Sequence, residues 1–174
     1  PYPMLRSLVG SEMCIRDSPY IVMSSQYTFT GQFTFSIDSK NRINIPAPLR
    51  KQFSVKDKKT FVITRGIDQC AWIYPINEWE IIQTELKQLS SLSKINRVFL
   101  RNHLRHANII KFDSQGRFVL PQSLVDYTTI KKDVTIIGVL NKIEIWNPNL
   151  LRKVDQSDEV DDQSYEQLSE RVNI

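Results

Sequence analysis

The pattern of apolar and polar residues becomes regular after position 30. Residues 33–37 alternate between apolar and polar side chains, which is the period of two of a half-buried β-strand. A stretch rich in turn-forming residues, 38–41, separates them from a second predicted strand, 42–45. A short helix is predicted over 46–53, because proline is tolerated in the first helical turn. This segment therefore predicts a strand–turn–strand–helix unit.

Two later segments each predict a pair of neighbouring strands. Apolar and β-branched residues dominate 61–64 and 71–74, and they dominate 134–137 and 143–146 in the same way. Each pair encloses a short segment that contains a glycine, so each pair is predicted to turn back on itself.

The chain also repeats itself at a fixed spacing. Five residues recur as the same type 75 positions later: Asp38, Ser39, Arg42, Pro46 and Leu49 as Asp113, Ser114, Arg117, Pro121 and Leu124. A second set matches at an offset of 72: Val62, Gly66, Ile67, Ile73 and Tyr74 with Val134, Gly138, Val139, Ile145 and Trp146. Repeated order with repeated spacing indicates a duplication. We therefore predict an α+β chain with two copies of one β-rich module, at 29–80 and 107–154, and connecting helices at 81–106.

Helical periodicity marks the segment between the copies. Asn77 and Glu80 have the spacing of a capping box, and the apolar stripe behind them consists of Trp79, Ile82, Leu86 and Leu89. A second helix is predicted over 93–106, with an inner face of Ile95, Val98 and Phe99. Asn147 and Pro148 predict the start of a third helix.

Charge is distributed unevenly along the chain. The formal net charge is +4, but residues 155–174 alone carry −6. Residues 23–154 contain 20 Lys and Arg against 10 Asp and Glu, a net +10. A basic body is typical of proteins that bind a polyanion, although a solvated surface with a solubilising acidic tail explains the same numbers. The tail has few apolar residues and is predicted to be loose.

The first 22 residues are predicted to be an extension that is not part of the fold. They have no period, and residues 7–17 look like translated sequencing-adapter read-through, in which case Met23 is the natural start. An ordinary disordered extension is the alternative. The segment has neither the apolar core nor the cleavage site of a signal peptide, and no stretch of the chain approaches the roughly 18 apolar residues of a membrane span.

Constellations for catalysis or metal binding are scarce. The sequence contains no P-loop, no dinucleotide-binding glycine motif and no zinc-protease motif. His103 and His106 could share a helix face, but two histidines without a nearby thiolate or carboxylate are a weak metal site. We therefore expect a protein without enzymatic activity that needs no metal, other cofactor or small-molecule substrate.

The distinctive chemistry lies in two Asp-x-x-x-Arg turns, Asp38 to Arg42 and Asp113 to Arg117. Each Asp can accept hydrogen bonds from its own turn, and Asn41 and Gly116 can adopt a positive φ at low cost. In one interpretation the arginine only pairs with this Asp. In the other it projects towards a ligand, since its planar fork binds a phosphate or a guanine edge with two hydrogen bonds.

These two segments resemble the paired signatures of the MraZ family. The resemblance rests on Asp-Ser-Lys-Asn-Arg followed by Ile-Asn-Ile-Pro, and on Asp-Ser-Gln-Gly-Arg followed by Phe-Val-Leu-Pro, and it covers about residues 29–154. It implies an AbrB-like swapped-hairpin β-barrel and a bacterial transcription factor, cytoplasmic and nucleoid-associated. Such a factor binds double-stranded DNA at short repeats in its own promoter, upstream of the cell-division and cell-wall genes, as a ring-shaped homo-oligomer without membrane contact.

The resemblance also suggests which residues contact DNA. Arg42 and Arg117 match the motif arginines and are the first candidates; Lys40, Asn41 and Gln115 lie in the same turns. Arg50 and Lys51 match a basic position of the wider AbrB-like group, and Val125 and Asp126 replace them in the second copy. Asn41 departs from the family, whose first turn usually has glycine, although asparagine tolerates the same backbone conformation.

A separate basic feature lies on the second predicted helix. Lys94, Arg97, Arg101 and Arg105 are spaced by three, four and four residues, which puts them on one face. They could follow DNA phosphates, or they could form the solvated face of an ordinary surface helix.

Two classes of function remain open from the sequence. The first is a sequence-specific DNA-binding transcriptional regulator. The alternative is an antitoxin-like protein-interaction module with an acidic protein partner, which a short toxin gene beside this one would favour.

Overall fold

The computed structural model describes residues 25–53, 60–156 and 162–172. The predicted extension at 1–22 lies outside the described residues. Within the described ranges the strands are β1 (Gln32–Ser36), β2 (Arg42–Asn44), β3 (Thr60–Arg65), β4 (Ala71–Pro75), β5 (Asn108–Lys111), β6 (Arg117–Val119), β7 (Asp133–Val139) and β8 (Lys142–Trp146). The helices are α1 (Ala47–Arg50), α2 (Ile76–Leu86), α3 (Lys94–Leu104), α4 (Gln122–Thr128), α5 (Pro148–Asp155) and α6 (Asp162–Val172). Each half of the chain thus has the same order, two strands, a short helix, two strands and two helices.

The two halves exchange strands. A six-stranded antiparallel sheet has the order β1-β7-β8-β4-β3-β5, so that β1 pairs with β7 of the other half and β5 pairs with β3. A separate two-stranded ladder joins β2 to β6, again across the halves. The α+β class is therefore confirmed. The large sheet is not a closed barrel among the described strands, because β1 and β5 form its two edges and the β2–β6 ladder covers one face instead.

Both faces of this sheet are covered, and the alternation of residues in β3 and β4 decides which side chains lie on which face. The cluster against the β2–β6 ladder includes Phe61, Ile63, Ile73, Ile43 and Phe118. The cluster on the opposite face includes Val62, Trp72, Tyr74, Trp79 and Trp146. Full burial of one large apolar side chain contributes about 1.5–3 kcal/mol, so burial at these alternating positions stabilises the sheet.

The strand pairs predicted around the two glycine-containing turns are confirmed, but several helix boundaries differ. The capping box of Asn77 and Glu80 is wrong, because α2 begins at Ile76 directly after β4 and its N-cap is Pro75, which has no capping side chain. The helix predicted over 46–53 is a single turn, α1. Asn147 does cap α5, since its side chain accepts a hydrogen bond from the backbone N–H of Asn149 at 2.9 Å.

The acidic tail is more ordered than its composition predicts. Within residues 155–174, which were expected to be loose, the structure has an eleven-residue helix, α6. Its apolar residues recur at helical spacing, Tyr165, Leu168 and Val172, and this amphipathic periodicity supports a helix despite the high charge.

Helix α3 lies on the sheet differently from the prediction. The predicted inner face is wrong, because Ile95 is 71% exposed and Phe99 is 42% exposed, and no described residue of this helix is buried. Instead the buried hydroxyl of Thr64 on β3 donates to the backbone carbonyl of His103 at 2.6 Å. The His103 ring stacks with Trp79 at a centroid distance of 5.9 Å and with Phe99 at 5.7 Å. His103 therefore anchors α3, through its backbone carbonyl and its stacked ring, and the apolar stripe of the helix faces outward.

The burial of the His103 ring predicts a pH dependence of stability. Burial lowers the pKa of His103 below its ordinary value of 6.5, so the unfolded state binds more protons as the pH falls through that value. The free energy of unfolding should therefore be lower at pH 5.5 than at pH 7.5. We expect His103→Phe, which retains an aromatic ring for stacking, to have a smaller difference between the two pH values in urea denaturation.

The matched control for this prediction is His106→Asn. The pKa of His106 is also lowered, by burial and then by the charges of Arg65 and Arg105, so the control measures the contribution of the other histidine. An unchanged pH difference in His103→Phe would show that His103 is not the group that responds.

Candidate nucleic-acid interface

The first Asp-x-x-x-Arg turn is held together by hydrogen bonds to the carboxylate of Asp38. Oδ1 of Asp38 accepts the backbone N–H groups of Lys40 and Arg42, both at 2.9 Å. Oδ2 accepts Nε–H of Arg42 at 2.6 Å. The backbone N–H of Asn41 donates to the Asp38 carbonyl at 3.0 Å, and Asn41 has a φ of 56°. The turn therefore has the positive φ that the sequence predicts.

The second turn repeats this geometry. Oδ1 of Asp113 accepts the backbone N–H groups of Gln115 at 2.8 Å and Arg117 at 2.9 Å. Oδ2 accepts Nε–H of Arg117 at 2.9 Å, and Gly116 has a φ of 80°. Two copies of one turn thus hold two arginines in the same way.

Hydrogen bonds within the turns favour the ionised form of both aspartates. The backbone N–H of Arg42 holds the pKa of Asp38 below its ordinary value of 3.8, and the backbone N–H of Arg117 does the same for Asp113. Because each folded-state pKa is lowered, the carboxylates stabilise the folded state fully above the ordinary pKa of 3.8. This contribution to stability is lost as the pH falls through the lowered pKa. At neutral pH each turn is therefore fixed by a carboxylate.

The β2–β6 ladder, hereafter the ribbon, brings the two arginines onto one surface. Its register pairs Arg42 with Val119 and Asn44 with Arg117. The buried pair between them turns to the core, so these four residues share the outer face. Arg42 and Arg117 are diagonal neighbours across the two strands, a relation that separates Cα atoms by about 7–8 Å.

The guanidinium groups keep part of their hydrogen-bonding capacity. The side chains of Arg42 and Arg117 are 34% and 33% exposed, and each pairs with its aspartate through Nε. Among the described residues, their terminal amino groups donate to no acceptor. Each arginine is thus held through Nε, and its terminal amino groups remain able to donate to another acceptor.

The two halves also contact each other at the turns. Nη1 of Arg50, on α1, donates to the backbone carbonyl of Gln115 at 2.7 Å. The Arg50 side chain occupies the space that a Cβ at Gly116 would fill. At the other turn, Nδ2 of Asn41 donates to Oε1 of Gln122 at 2.9 Å, and Gln122 is a site residue that the sequence reasoning missed. The offset of 75 equates Gln122 with Ala47, so the repeat alone gave no reason to select it.

The remaining predicted site residues differ in their exposure and in their hydrogen bonds within the protein. Lys40 and Lys51 are exposed, and so is the side chain of Gln115. Arg50 is engaged by the second turn, and Asn41 is half-buried and engaged by Gln122. Lysines 40 and 51 are therefore the freer cations near the ribbon.

The basic row on α3 is separate from the ribbon. Lys94, Arg97, Arg101 and Arg105 are all exposed, and α3 packs against β3. Nη1 of Arg97 donates to the carbonyls of Ser91 and Leu92, at 2.8 Å each. A cleft of about 350 Å³ lies beside this helix, lined by Arg65, Gly66, Ile67, Phe99, Asn102, His103 and Tyr127.

The described part of the chain contains no group of three or more His, Cys, Asp or Glu side chains placed to hold a metal ion. None of its helices is long and apolar enough to cross a membrane.

The chain is similar in sequence to a family model and to relatives that carry the same family name. A family model described as "MraZ protein, putative antitoxin-like" matches the chain twice, at residues 28–102 and 103–172. A transcriptional regulator MraZ from Clostridium tetani (strain Massachusetts / E88) is 38% identical over 145 residues, which cover 83% of this chain and 96% of the relative. Proteins of the same name from Natranaerobius thermophilus and Clostridium botulinum (strain Eklund 17B / Type B) are 39% and 40% identical, with the same coverage of both chains.

Proposed function

Since the chain belongs to the MraZ family, we propose that it is a transcriptional regulator that binds double-stranded DNA through Arg42 and Arg117. The observation that carries this proposal is the ribbon, on which both arginines lie on one outer face. The major groove, about 12 Å wide, admits a two-stranded ribbon, and arginine is the residue that most often binds a guanine edge there. The function requires neither a catalytic group nor a cofactor.

Other residues near the ribbon have supporting roles. Lys40 and Lys51 are exposed cations suited to phosphate contacts, which increase affinity without reading sequence. Gln115 and Asn41 lie in the turns. The exposed amide of Gln115 can contact DNA in addition to the turn arginines, and Asn41 can do so with the part of its amide that Gln122 does not engage. Arg50 positions the second turn through the Gln115 carbonyl.

The proposed function also concerns how the protein assembles and where in the cell it binds DNA. The repeats at 29–80 and 107–154 have the swapped-hairpin arrangement in an open form, which the exchange of strands between the halves supports. The protein acts in the cytoplasm at the nucleoid, as a homo-oligomeric ring on short repeats in its own promoter, upstream of cell-division and cell-wall genes. Several linked modules would bind such repeats far more tightly than one module.

The test is binding to the DNA upstream of the gene that encodes this protein, compared with scrambled DNA of the same composition. Fluorescence anisotropy at several salt concentrations separates sequence preference from the charge-driven background. We expect tighter binding to the upstream DNA at every salt concentration. Equal binding to both DNAs, by a folded protein, would reject sequence-specific recognition.

An antitoxin-like interaction module is the second candidate, and the description of the matching family favours it. In that case the basic body binds an acidic protein partner and DNA binding is secondary. A short toxin gene beside this one, and a stable complex of the two purified products, would support this candidate over the first.

Replacement of Arg50 tests whether that residue positions the turn or contacts DNA. We expect Arg50→Met to weaken binding to the upstream DNA several-fold, because the Gln115 carbonyl loses its donor and the second turn is less well fixed. A residue that neutralises a phosphate contributes about 0.9 to the slope of log affinity against log salt. Anisotropy titrations should therefore give a lower affinity with an unchanged salt slope.

Lys51→Met is the matched control, since it removes a neighbouring cation that is exposed. We expect this variant to lose salt slope. If Arg50→Met loses slope by the same amount, Arg50 is a phosphate contact and its positioning role is wrong.

A further inference from the structure

Helix α3 presents an apolar surface to solvent. Leu92 just before the helix is 90% exposed, Ile95 is 71% exposed, and Val98 and Phe99 lie on the same side. The stripe reaches the cleft beside the helix, where Ile67 is also exposed. These five residues are called the α3 surface below. Contiguous exposed apolar residues of this kind are typical of an interaction site.

The α3 surface is bordered by positive charge. The exposed residues Lys94, Arg97, Arg101 and Arg105 belong to the same helix, and Arg65 lines the cleft with its guanidinium 4.2 Å from the ring centroid of Tyr127. An occupant of this surface should therefore combine an apolar stripe with negative charge.

Helix α6 has this combination. Tyr165, Leu168 and Val172 are exposed at spacings of three and four, so they form one stripe, and Leu168 is 60% exposed. Glu166 and Glu170 lie on the same helix, within a tail that carries a net charge of −6. In the single chain both stripes are uncovered, and their charges are complementary.

We propose that α6 of one copy docks on the α3 surface of a second copy. The apolar stripe of α6 packs on the α3 surface as an amphipathic helix packs in a groove, and the basic row attracts the acidic tail. Such a contact joins two different surfaces, so each copy has one of each still available. Contacts of this head-to-tail kind form rings when the rotation closes.

This inference rests on the homo-oligomer of the proposed function and is independent of DNA binding. The experiment therefore measures mass in solution without DNA. Loss of DNA recognition with an intact oligomer would reject the proposed function only, and an oligomer held by other surfaces would reject this inference only.

The experiment uses light scattering after size-exclusion chromatography on the full chain and two blocked variants. Phe99→Asp blocks the α3 surface, and Leu168→Asp blocks α6. We expect the wild type to be oligomeric and each variant to dissociate, with a dissociation constant raised on the order of tenfold or more. Higher salt should also weaken the wild-type oligomer, because part of the attraction is between charges.

Mixing the two blocked variants tests which copy supplies the helix. Phe99→Asp retains a functional α6 and Leu168→Asp retains a functional α3 surface, so the mixture should form a 1:1 heterodimer and nothing larger. If the mixture stays monomeric, the two surfaces do not join separate copies and the proposal is overturned. A monomeric wild type, or variants that keep the wild-type mass, would overturn it equally.

Ile109→Asp on β5 is the matched control, since Ile109 is as exposed as Ile95 and lies on a strand at the edge of the sheet. It should keep the wild-type mass. Dissociation of this variant alone would place the interface on the edge strand, contrary to the proposal. Circular dichroism shows that each variant is folded before its mass is compared.

Discussion

Alanine at both Arg42 and Arg117 is expected to remove the preference for upstream DNA over scrambled DNA. Loss of one arginine that binds a base edge with two hydrogen bonds costs about 1–3 kcal/mol of binding free energy, roughly 5- to 150-fold in affinity. The two residues are diagonal neighbours on the ribbon, so we expect each single variant to be impaired and the double variant to be worse. Anisotropy titrations of the three variants on both DNAs measure the effect.

The fold should survive these substitutions, which makes the binding result interpretable. Asp38 and Asp113 each keep two backbone N–H donors when the guanidinium is removed, so the turns retain their own hydrogen bonds. Arg→Lys at the same two positions keeps the charge but removes the planar fork, and it should also lose sequence preference. Lys111→Ala removes an exposed cation on β5 as the control. Equal losses on upstream and scrambled DNA would show that the arginines contact only phosphates.

The sequence predicted those features that depend on local chemistry. The positive φ at Asn41 and Gly116 follows from the residue types themselves, and the strand pairs follow from alternation and from residues that suit a buried strand. The constant spacing of the repeat also predicted that the two turns are equivalent. Local rules were sufficient for these features because backbone conformation and side-chain period are set within a few residues.

The features that were missed depend on contacts between distant residues. The spacing in the sequence does not show that Arg50 lies over Gly116 or that Asn41 bonds Gln122, because each contact joins opposite halves through the exchanged strands. The outward stripe of α3 was assigned to the core because periodicity shows that a helix has an apolar side, not where that side points. The capping box placed the start of α2 two residues late, since Pro75 ends β4 and precedes the helix without a loop.

Alanine at Gly116 is expected to be strongly destabilising, for two separable reasons. A residue with a Cβ in the left-handed region costs roughly 1–2 kcal/mol. In addition, the new Cβ would overlap the Arg50 side chain, which has to move and release the Gln115 carbonyl. Together these effects should lower the free energy of unfolding by about 2–3 kcal/mol. Urea denaturation of the variant and the wild type measures this difference.

The first turn shows how to separate the two causes. There the chain has Asn41 at a φ of 56°, and the position equivalent to Arg50 is Val125. Gly116→Asn in the wild-type background should therefore be destabilising, because its Cβ still meets Arg50, even though asparagine tolerates this φ. Gly116→Asn combined with Arg50→Val recreates the first-turn combination, and it should be more stable than the sum of the single changes. A double-mutant cycle isolates this coupling. Strict additivity would mean that Arg50 does not restrict position 116, and that only the backbone conformation requires a glycine there.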